Sequence, residues 1–349
     1  MEASKTLRGV LGFDTSCYTT SIAFVDETGA VRAERRRMLP VKKGERGLRQ
    51  GDAFFLHGQH LPELLDELLQ DLRQDGKNLS IDAIAYSARP RRDEQSYLPV
   101  FRAGRLVAHT LARTLEVPLV ETSHQEGHLM AGLYSSQEVQ VPEEWLAEPF
   151  LAVHLSGGTT ELLRVTPAVE QGLSEEEGGQ VAFHVQTLGA TLDLHAGQLV
   201  DRVGVALGLP FPSGPYLEKL ATSATGDLVF PAAVKGYNLS FSGVETAALR
   251  MIKEAQVGGP EIARAVERCI ASSLEKILRK AVETEKIPKI LIVGGVAANA
   301  FLRQRLRYRL EHKAVGAQLA FATAQLSGDN AVGVALIGWR SQKKAFACR

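Results

Sequence analysis

Val10-Leu11-Gly12-Phe13-Asp14-Thr15-Ser16-Cys17-Tyr18-Thr19-Thr20-Ser21-Ile22-Ala23-Phe24-Val25 sets two apolar runs on either side of a short polar link. Two β-rich runs joined so briefly read as a hairpin. The link is crowded with hydroxyls, from Thr15, Ser16, Tyr18, Thr19 and Thr20. It is either a polar hairpin tip or a loop that faces phosphate, because hydroxyls and turn N–H groups both donate to phosphate oxygens. The same grammar returns later. Phe150-Leu151-Ala152-Val153-His154-Leu155 reads as a buried strand, Ser156-Gly157-Gly158-Thr159-Thr160 as a turn, and Glu161-Leu162-Leu163-Arg164-Val165 as the returning strand. Two lobes, each opening on such a hairpin, are what a nucleotide clamp needs.

The segments between the hairpins alternate. A third strand is expected at Ala30 to Arg36, and Leu61 to Leu72 carries an amphipathic helical pattern. Ile81 to Tyr86 reads as a strand, Leu106 to Leu115 as a helix and Leu119 to Glu121 as a strand. This alternation places the chain in the α/β class. A polar stretch from Tyr134 to Phe150 marks a lobe boundary. The expected division is residues 1–140 and 149–326, with a helical insert over about 190–286 and a closing helix over 327–341 packed back on the first lobe. Lys289 to Val293 reads as a strand running into Gly294-Gly295-Val296-Ala297-Ala298-Asn299 and a helix.

Composition narrows the function classes. Of 349 residues, 45% are hydrophobic and 23% charged, which is ordinary for a soluble globular chain. Lys plus Arg and Asp plus Glu are equal at 40 each, so the chain is no generic nucleic-acid coat, although a local basic patch is allowed. Cys17, Cys269 and Cys348 form no metal-spaced pair, and a reducing compartment is expected. Met1 to Val10 has no signal-peptide core, and no apolar run nears the ~20 residues of a membrane span. A cytoplasmic protein without a membrane partner is expected.

The chemistry concentrates at Ser123-His124-Gln125-Glu126-Gly127-His128-Leu129. On a helix, His124 and His128 share a face and can grip one metal ion. Asp329, between the last strand and the closing helix, either caps that helix or adds an oxygen ligand. Two imidazoles and one carboxylate suit zinc or ferrous iron and leave a coordination position open. His154 could supply a fourth ligand or simply be hydrogen-bonded. Gly294 to Asn299, between strand and helix, is either a packing turn or a place where backbone approaches an anion. Asn299 either caps the helix or binds a base or ribose. Asp193, Gly197 and Asp201 are spaced by helical turns, as a solvated acidic face or as carboxylates aimed at ribose or an amine. Gly214 allows a tight turn near them. His-x-x-x-His here is no peptidase motif, because Gln125 stands where a catalytic glutamate would, and Glu126 points off the histidine face.

Together these stretches resemble the TsaD family, also called the glycoprotease or Gcp family. The resemblance runs from Leu11-Gly12-Phe13-Asp14-Thr15-Ser16-Cys17 to Asp329-Asn330. Its most specific parts are His124-Gln125-Glu126-Gly127-His128, Ser156-Gly157-Gly158-Thr159-Thr160, Ser240-Phe241-Ser242-Gly243 and Gly294-Gly295-Val296-Ala297-Ala298-Asn299. It implies the actin-like ATPase (ASKHA, sugar-kinase-like) fold, two βα lobes around a nucleotide and metal cleft. It implies transfer of a threonylcarbamoyl group from its adenylate to the tRNA adenosine beside the anticodon. His124, His128 and Asp329 would hold one divalent metal, iron or zinc. Ser156, Gly157, Gly158, Asp201, Gly214 and Asn299 would hold ATP or an acyl-adenylate nucleotide. His154 falls where some members place a metal-binding tyrosine. The implied partners are tRNA, an adenylate-forming enzyme and other family subunits.

The departures are specific. The family's Glu-Thr-Ser-Cys-Asp-Glu-Thr loop reads Asp14 to Thr20 here, with Tyr18-Thr19 in place of the acidic pair. Ser87-Ala88-Arg89-Pro90-Arg91-Arg92 replaces a glycine-rich segment, and Arg89 and Arg91 either bind an anion or are solvated. Thr159 replaces a histidine and Glu245 a lysine. The chain is therefore expected to be a divergent paralogue. A transferase with another acceptor and a non-catalytic regulatory paralogue are the alternatives.

Overall fold

The computed structural model describes residues 6–16, 18–40, 48–73, 78–93, 96–136, 142–168, 182–232 and 234–347. Cys17 and Cys348 lie outside them; Cys269 is a buried free thiol. The chain divides into two compact units, one holding residues 1–134, 171–183 and 329–349, the other 135–170 and 184–328. Among the described residues no helix is long and apolar enough to cross a membrane.

The first unit carries strands β1 (Leu7–Thr15), β2 (Thr19–Asp26) and β3 (Val31–Met38), helix α1 (Gln50–Leu72), strand β4 (Leu79–Arg89), helix α2 (Phe101–Leu115), strand β5 (Leu119–Ser123) and helix α3 (His124–Ser135). The hairpin expected at the start is present, with Thr15 opposite Thr20. The sheet order is β3-β2-β1-β4-β5. β1 pairs antiparallel with β2 and parallel with β4, so the C-terminal ends of β1, β4 and β5 lie at one edge of the sheet. Leu11, Phe13, Ile22 and Phe24 meet Leu61, Leu64, Leu68 and Leu72 of α1 in one buried cluster. Burial of each such side chain is worth roughly 1.5–3 kcal/mol.

Helix α1 starts eleven residues before the leucine pattern. Its buried stripe continues backwards as His57 and Ala53, which are not read as core from sequence. Pro62 also suggests a start at Leu61, because proline favours the first helical turn. Here it lies inside the helix. Helix α2 likewise begins before its leucines, at a buried Phe101, Ala103 and Gly104.

The second unit holds α4 (Pro142–Trp145), β6 (Phe150–Leu155), β7 (Thr160–Pro167), β8 (Phe183–Ala190), α5 (Ala196–Ala206), α6 (Gly214–Ala221), the small hairpin β9 (Val234–Lys235) and β10 (Asn238–Leu239), α7 (Ser242–Lys253) and α8 (Gly259–Glu285). β11 (Lys289–Val293), a 3-10 turn (Gly295–Ala298), α9 (Ala300–Leu310), β12 (Gln318–Phe321) and α10 (Ala324–Ser327) follow. Phe183, at the start of β8, counts with the first unit. The sheet order read from β8 is β8-β7-β6-β11-β12. That is the pattern of the first sheet: an antiparallel β6–β7 pair, then β11 and β12 added parallel to β6. The echo between the two opening hairpins is thus an echo of whole sheets. β8, β9 and β10 have no counterpart in the sequence reading. β8 alternates poorly, with only Phe183 and Gly189 fully buried, so it lacks a strand's apolar signature.

Helix α11 (Val332–Ala347) returns to the first unit. A Cβ on Gly333 would collide with the carbonyl oxygen of Gly127 in α3. The two helices therefore touch backbone to backbone, which brings Asp329 next to the start of α3.

Candidate functional site

Helix α3 starts where it does because Ser123 and Glu126 form a reciprocal cap. Ser123 Oγ accepts from the Glu126 N–H at 3.2 Å, and Glu126 Oε2 accepts from the Ser123 N–H at 2.9 Å. Glu126 also accepts from Thr122 Oγ1, Ser123 Oγ and Arg92 Nε, which draws its carboxylate off the histidine face. The Ser-x-x-Glu spacing that signals this cap stands in the sequence itself. With the helix start fixed, His124 and His128 fall one turn apart.

Their Nε2 atoms lie 3.1 Å from each other. Asp329 Oδ1 lies 3.5 Å from Nε2 of His124 and 3.4 Å from Nε2 of His128. The other Asp329 oxygen accepts from Ser16 Oγ at 2.8 Å. Behind His124, Nδ1 lies 3.0 and 3.1 Å from the two oxygens of Asp14, which is fully buried at the end of β1 and also accepts from Ser87 Oγ. Burial alone would lower the basicity of His124, but the carboxylates of Asp14 and Asp329 outweigh it and hold its pKa well above the ordinary value. Burial would raise the Asp329 pKa, yet hydrogen bonds and charge from His124 and His128 hold it well below the usual range.

The three converging atoms fit a metal. Ligands about 2.0–2.1 Å from a tetrahedral zinc stand roughly 3.3 Å apart, and the separations here are 3.1, 3.4 and 3.5 Å. Among the described residues this trio forms a group able to hold an ion. A carboxylate on the far nitrogen of a ligating histidine is the usual way its tautomer is fixed. Asp14 and Ser16 belong to this cluster; from sequence Ser16 reads only as a hydroxyl of a polar or phosphate-facing tip, and Asp14 carries no role. A lone acid closing a buried strand was the available signal for Asp14.

In the second unit, Ser156 Oγ accepts from the N–H groups of Gly158 at 3.3 Å and Thr159 at 3.0 Å, which ties the glycine turn together. The N–H of Gly197, in the first turn of α5, donates to the Ser156 carbonyl at 3.2 Å. Gly294 has φ 99°, and a Cβ there would strike the Leu155 backbone. The two glycine turns thus follow neighbouring parallel strands, β6 and β11, at their C-terminal ends, where ligands of such sheets bind. His154 is buried on β6, opposite Glu161 of β7 and Val293 of β11.

Asp201 lies on α5 and its Oδ1 accepts from the Ser213 N–H at 2.7 Å, beside Gly214 at the start of α6. Burial raises the Asp201 pKa, partly offset by that bond. Asn299 caps α9, its Oδ1 accepting from Leu302 N at 2.9 Å, and its Nδ2 donates to Glu267 Oε1 at 2.6 Å. Asp193 is not on the face of α5 with Gly197 and Asp201. The helix begins at Ala196, and the Asp193 carboxylate accepts from Ser240 Oγ, Ser242 Oγ and Phe241 N, at the start of α7. Arg89 pairs with Glu121 at 2.8 Å, while Arg91 lies in the bend after β4. Tyr18 is 41% exposed at the tip of the first hairpin.

The model of the family described as "TsaD: tRNA N6-adenosine threonylcarbamoyltransferase" matches residues 52–336. The chain is similar to HypF from T. kodakarensis, at 14% identity and TM-score 0.57, over 98% of this chain and 48% of that one. It is similar also to full-length HypF in the phosphate- and nucleotide-bound form, at 13% identity and TM-score 0.52, over 97% and 47%. It spans about half the length of those chains. These likenesses carry the fold, and with the repeated sheet they make it the actin-like ATPase fold that the resemblance implied.

Proposed function

The chain belongs to the TsaD family, and on that premise we propose that it is a metal-dependent transferase of threonylcarbamoyl from an adenylate to the tRNA adenosine next to the anticodon. The observation that carries this reading is the convergence of His124 Nε2, His128 Nε2 and Asp329 Oδ1 at 3.1–3.5 Å. These three residues would hold a divalent zinc or iron. The metal would supply Lewis acidity toward a carbamoyl or phosphate oxygen. Asp14 accepts a hydrogen bond from His124 Nδ1–H, so that Nε2 is the nitrogen that would turn to the metal. Ser16 occupies one Asp329 oxygen and leaves the other to the histidines. In the second unit, the Gly157 N–H and the backbone at Gly294 are assigned to the adenylate phosphate. Asp201 and Gly214 are assigned to the ribose side, and Asn299 to holding the turn after Gly294.

The test is incubation of the metal-loaded chain with threonine, bicarbonate, ATP, an adenylate-forming enzyme and unmodified tRNA. The expected product is modified adenosine, lost in His124→Ala and Asp329→Ala. Absence of product from a chain with its metal bound rejects the tRNA acceptor. One observation favours a second reading, a different acceptor: the exposed Tyr18 stands at the hairpin tip where the family has an acid. Tyr18→Asp with Thr19→Glu would then raise transfer to tRNA, and an unchanged rate counts against this reading.

A further inference from the structure

We propose that His57 is a positioning residue for Asp329, acting through Ser16. The proposal rests on the metal reading above. His57 has no exposed surface and is the one polar member of the buried stripe of α1, among Ala53, Leu61, Leu64, Leu68 and Leu72. An apolar side chain would fill that place without leaving a polar atom to satisfy. What distinguishes the imidazole is where its two nitrogens go.

Nε2 of His57 lies 2.8 Å from the carbonyl oxygen of Ser16. A carbonyl only accepts, so Nε2 carries the proton and Nδ1 the lone pair. Thr20 Oγ1, 2.8 Å from that Nδ1, must therefore donate to it. His60, one turn nearer the C-terminal end of α1, has its Nδ1 3.3 Å from the same Thr20 oxygen, on the accepting side. Ser16, held by its carbonyl, donates its hydroxyl to Asp329 Oδ2 at 2.8 Å. Every donor thus points the same way, from α1 through the first hairpin tip to Asp329. The far oxygen of Asp329 is fixed, and the near one faces His124 and His128. The first hairpin tip thereby acts as a brace for the metal centre, anchored by a histidine whose two ring hydrogen bonds go to Thr20 and Ser16.

The brace is tested in the full chain with three variants. His57→Phe keeps a ring in the stripe and removes both hydrogen bonds. His57→Gln keeps an amide nitrogen near the Nε2 position and so the donation to Ser16. Ser16→Ala removes the last link. Zinc affinity is measured by competition with a chromophoric chelator after the chain is stripped of metal. His57→Phe and Ser16→Ala are each expected to weaken zinc binding by on the order of 10-fold or more. The double variant is expected to be no weaker than the worse single one, and His57→Gln to recover most of the loss. Wild-type affinity in His57→Phe, or losses that add in full, overturns the proposal.

A second readout needs no metal. In the stripped chain, 15N imidazole spectra should show the His124 and His128 resonances displaced in His57→Phe and returned in His57→Gln. Unmoved resonances overturn the brace. Failure of the wild-type chain to take zinc, with the resonances moving as expected, would reject the metal reading and leave the brace standing.

Discussion

Asp14 holds Nδ1 of His124 between its two carboxylate oxygens, at 3.0 and 3.1 Å, from the end of a strand 110 residues away in sequence. Asp14→Asn would keep the shape and lose the charge. The amide can turn either its oxygen or its nitrogen toward the ring, so the tautomer is no longer imposed. Zinc affinity is expected to fall about 10–100-fold, the usual cost of losing such a partner. Chelator competition measures it, and an unchanged affinity would show that His124 is oriented by something else.

Stability should fall in acid through His57. Burial pushes its pKa down to about 4, against the opposing pull of the Ser16 carbonyl and the Asp14 charge. The folded value lies below the unfolded one, so the contribution is present above pH ~6.5 and is lost as pH falls toward about 4. The full effect is worth about 3 kcal/mol. Urea unfolding from pH 7 to pH 4 reads it. The slope should flatten in His57→Phe.

Gly333→Ala should separate α11 from α3, because its methyl would overlap the Gly127 carbonyl oxygen. Backbone cannot yield as a flexible side chain does, so a loss of ~2 kcal/mol or more is expected. Asp329 moves with α11, and zinc affinity should fall with stability. Gly58→Ala on α1 meets nothing within 4 Å and should stabilise by up to about 1 kcal/mol. Thermal melts of the two variants, compared, decide whether close approach or general glycine content sets the effect.

Asp193→Ala should detach the start of α7. The carboxylate takes donations from Ser240, Phe241 and Ser242, and these outweigh the desolvation that would raise its pKa, holding it well below the usual range. A cost of about 1–2 kcal/mol is expected. Hydrogen exchange should rise first at residues 240–245. Uniform change across the chain would mean that Asp193 acts elsewhere.

Some of the site was legible because it is local. His124 and His128 share a helix face by spacing alone, and the Ser156 and Gly294 turns follow strands whose apolar runs are plain. The repeated hairpin pointed to two similar lobes, and the family resemblance implied the fold. Asp193 misled because it keeps helical spacing with Gly197 and Asp201, while its carboxylate is taken by another segment and the helix starts only at Ala196. β8 was missed because its half-exposed residues lack alternation, and the first turns of α1 because Ala53 and His57 carry the stripe there.

The sequence by itself determined the two opening hairpins, the leucine-rich core of α1 and the histidine pair, since each depends on periodicities of two to four residues. It also nominated Asp329, from its place between strand and helix. Only the tertiary structure decided that Asp14 backs His124, that Ser16 takes one oxygen of Asp329 and that His57 holds Ser16. Those are hydrogen bonds between residues 41 to 313 positions apart. No spacing along the chain encodes such contacts. They follow from sheet order and from two glycines that let α3 and α11 meet, and those are properties of the packed unit.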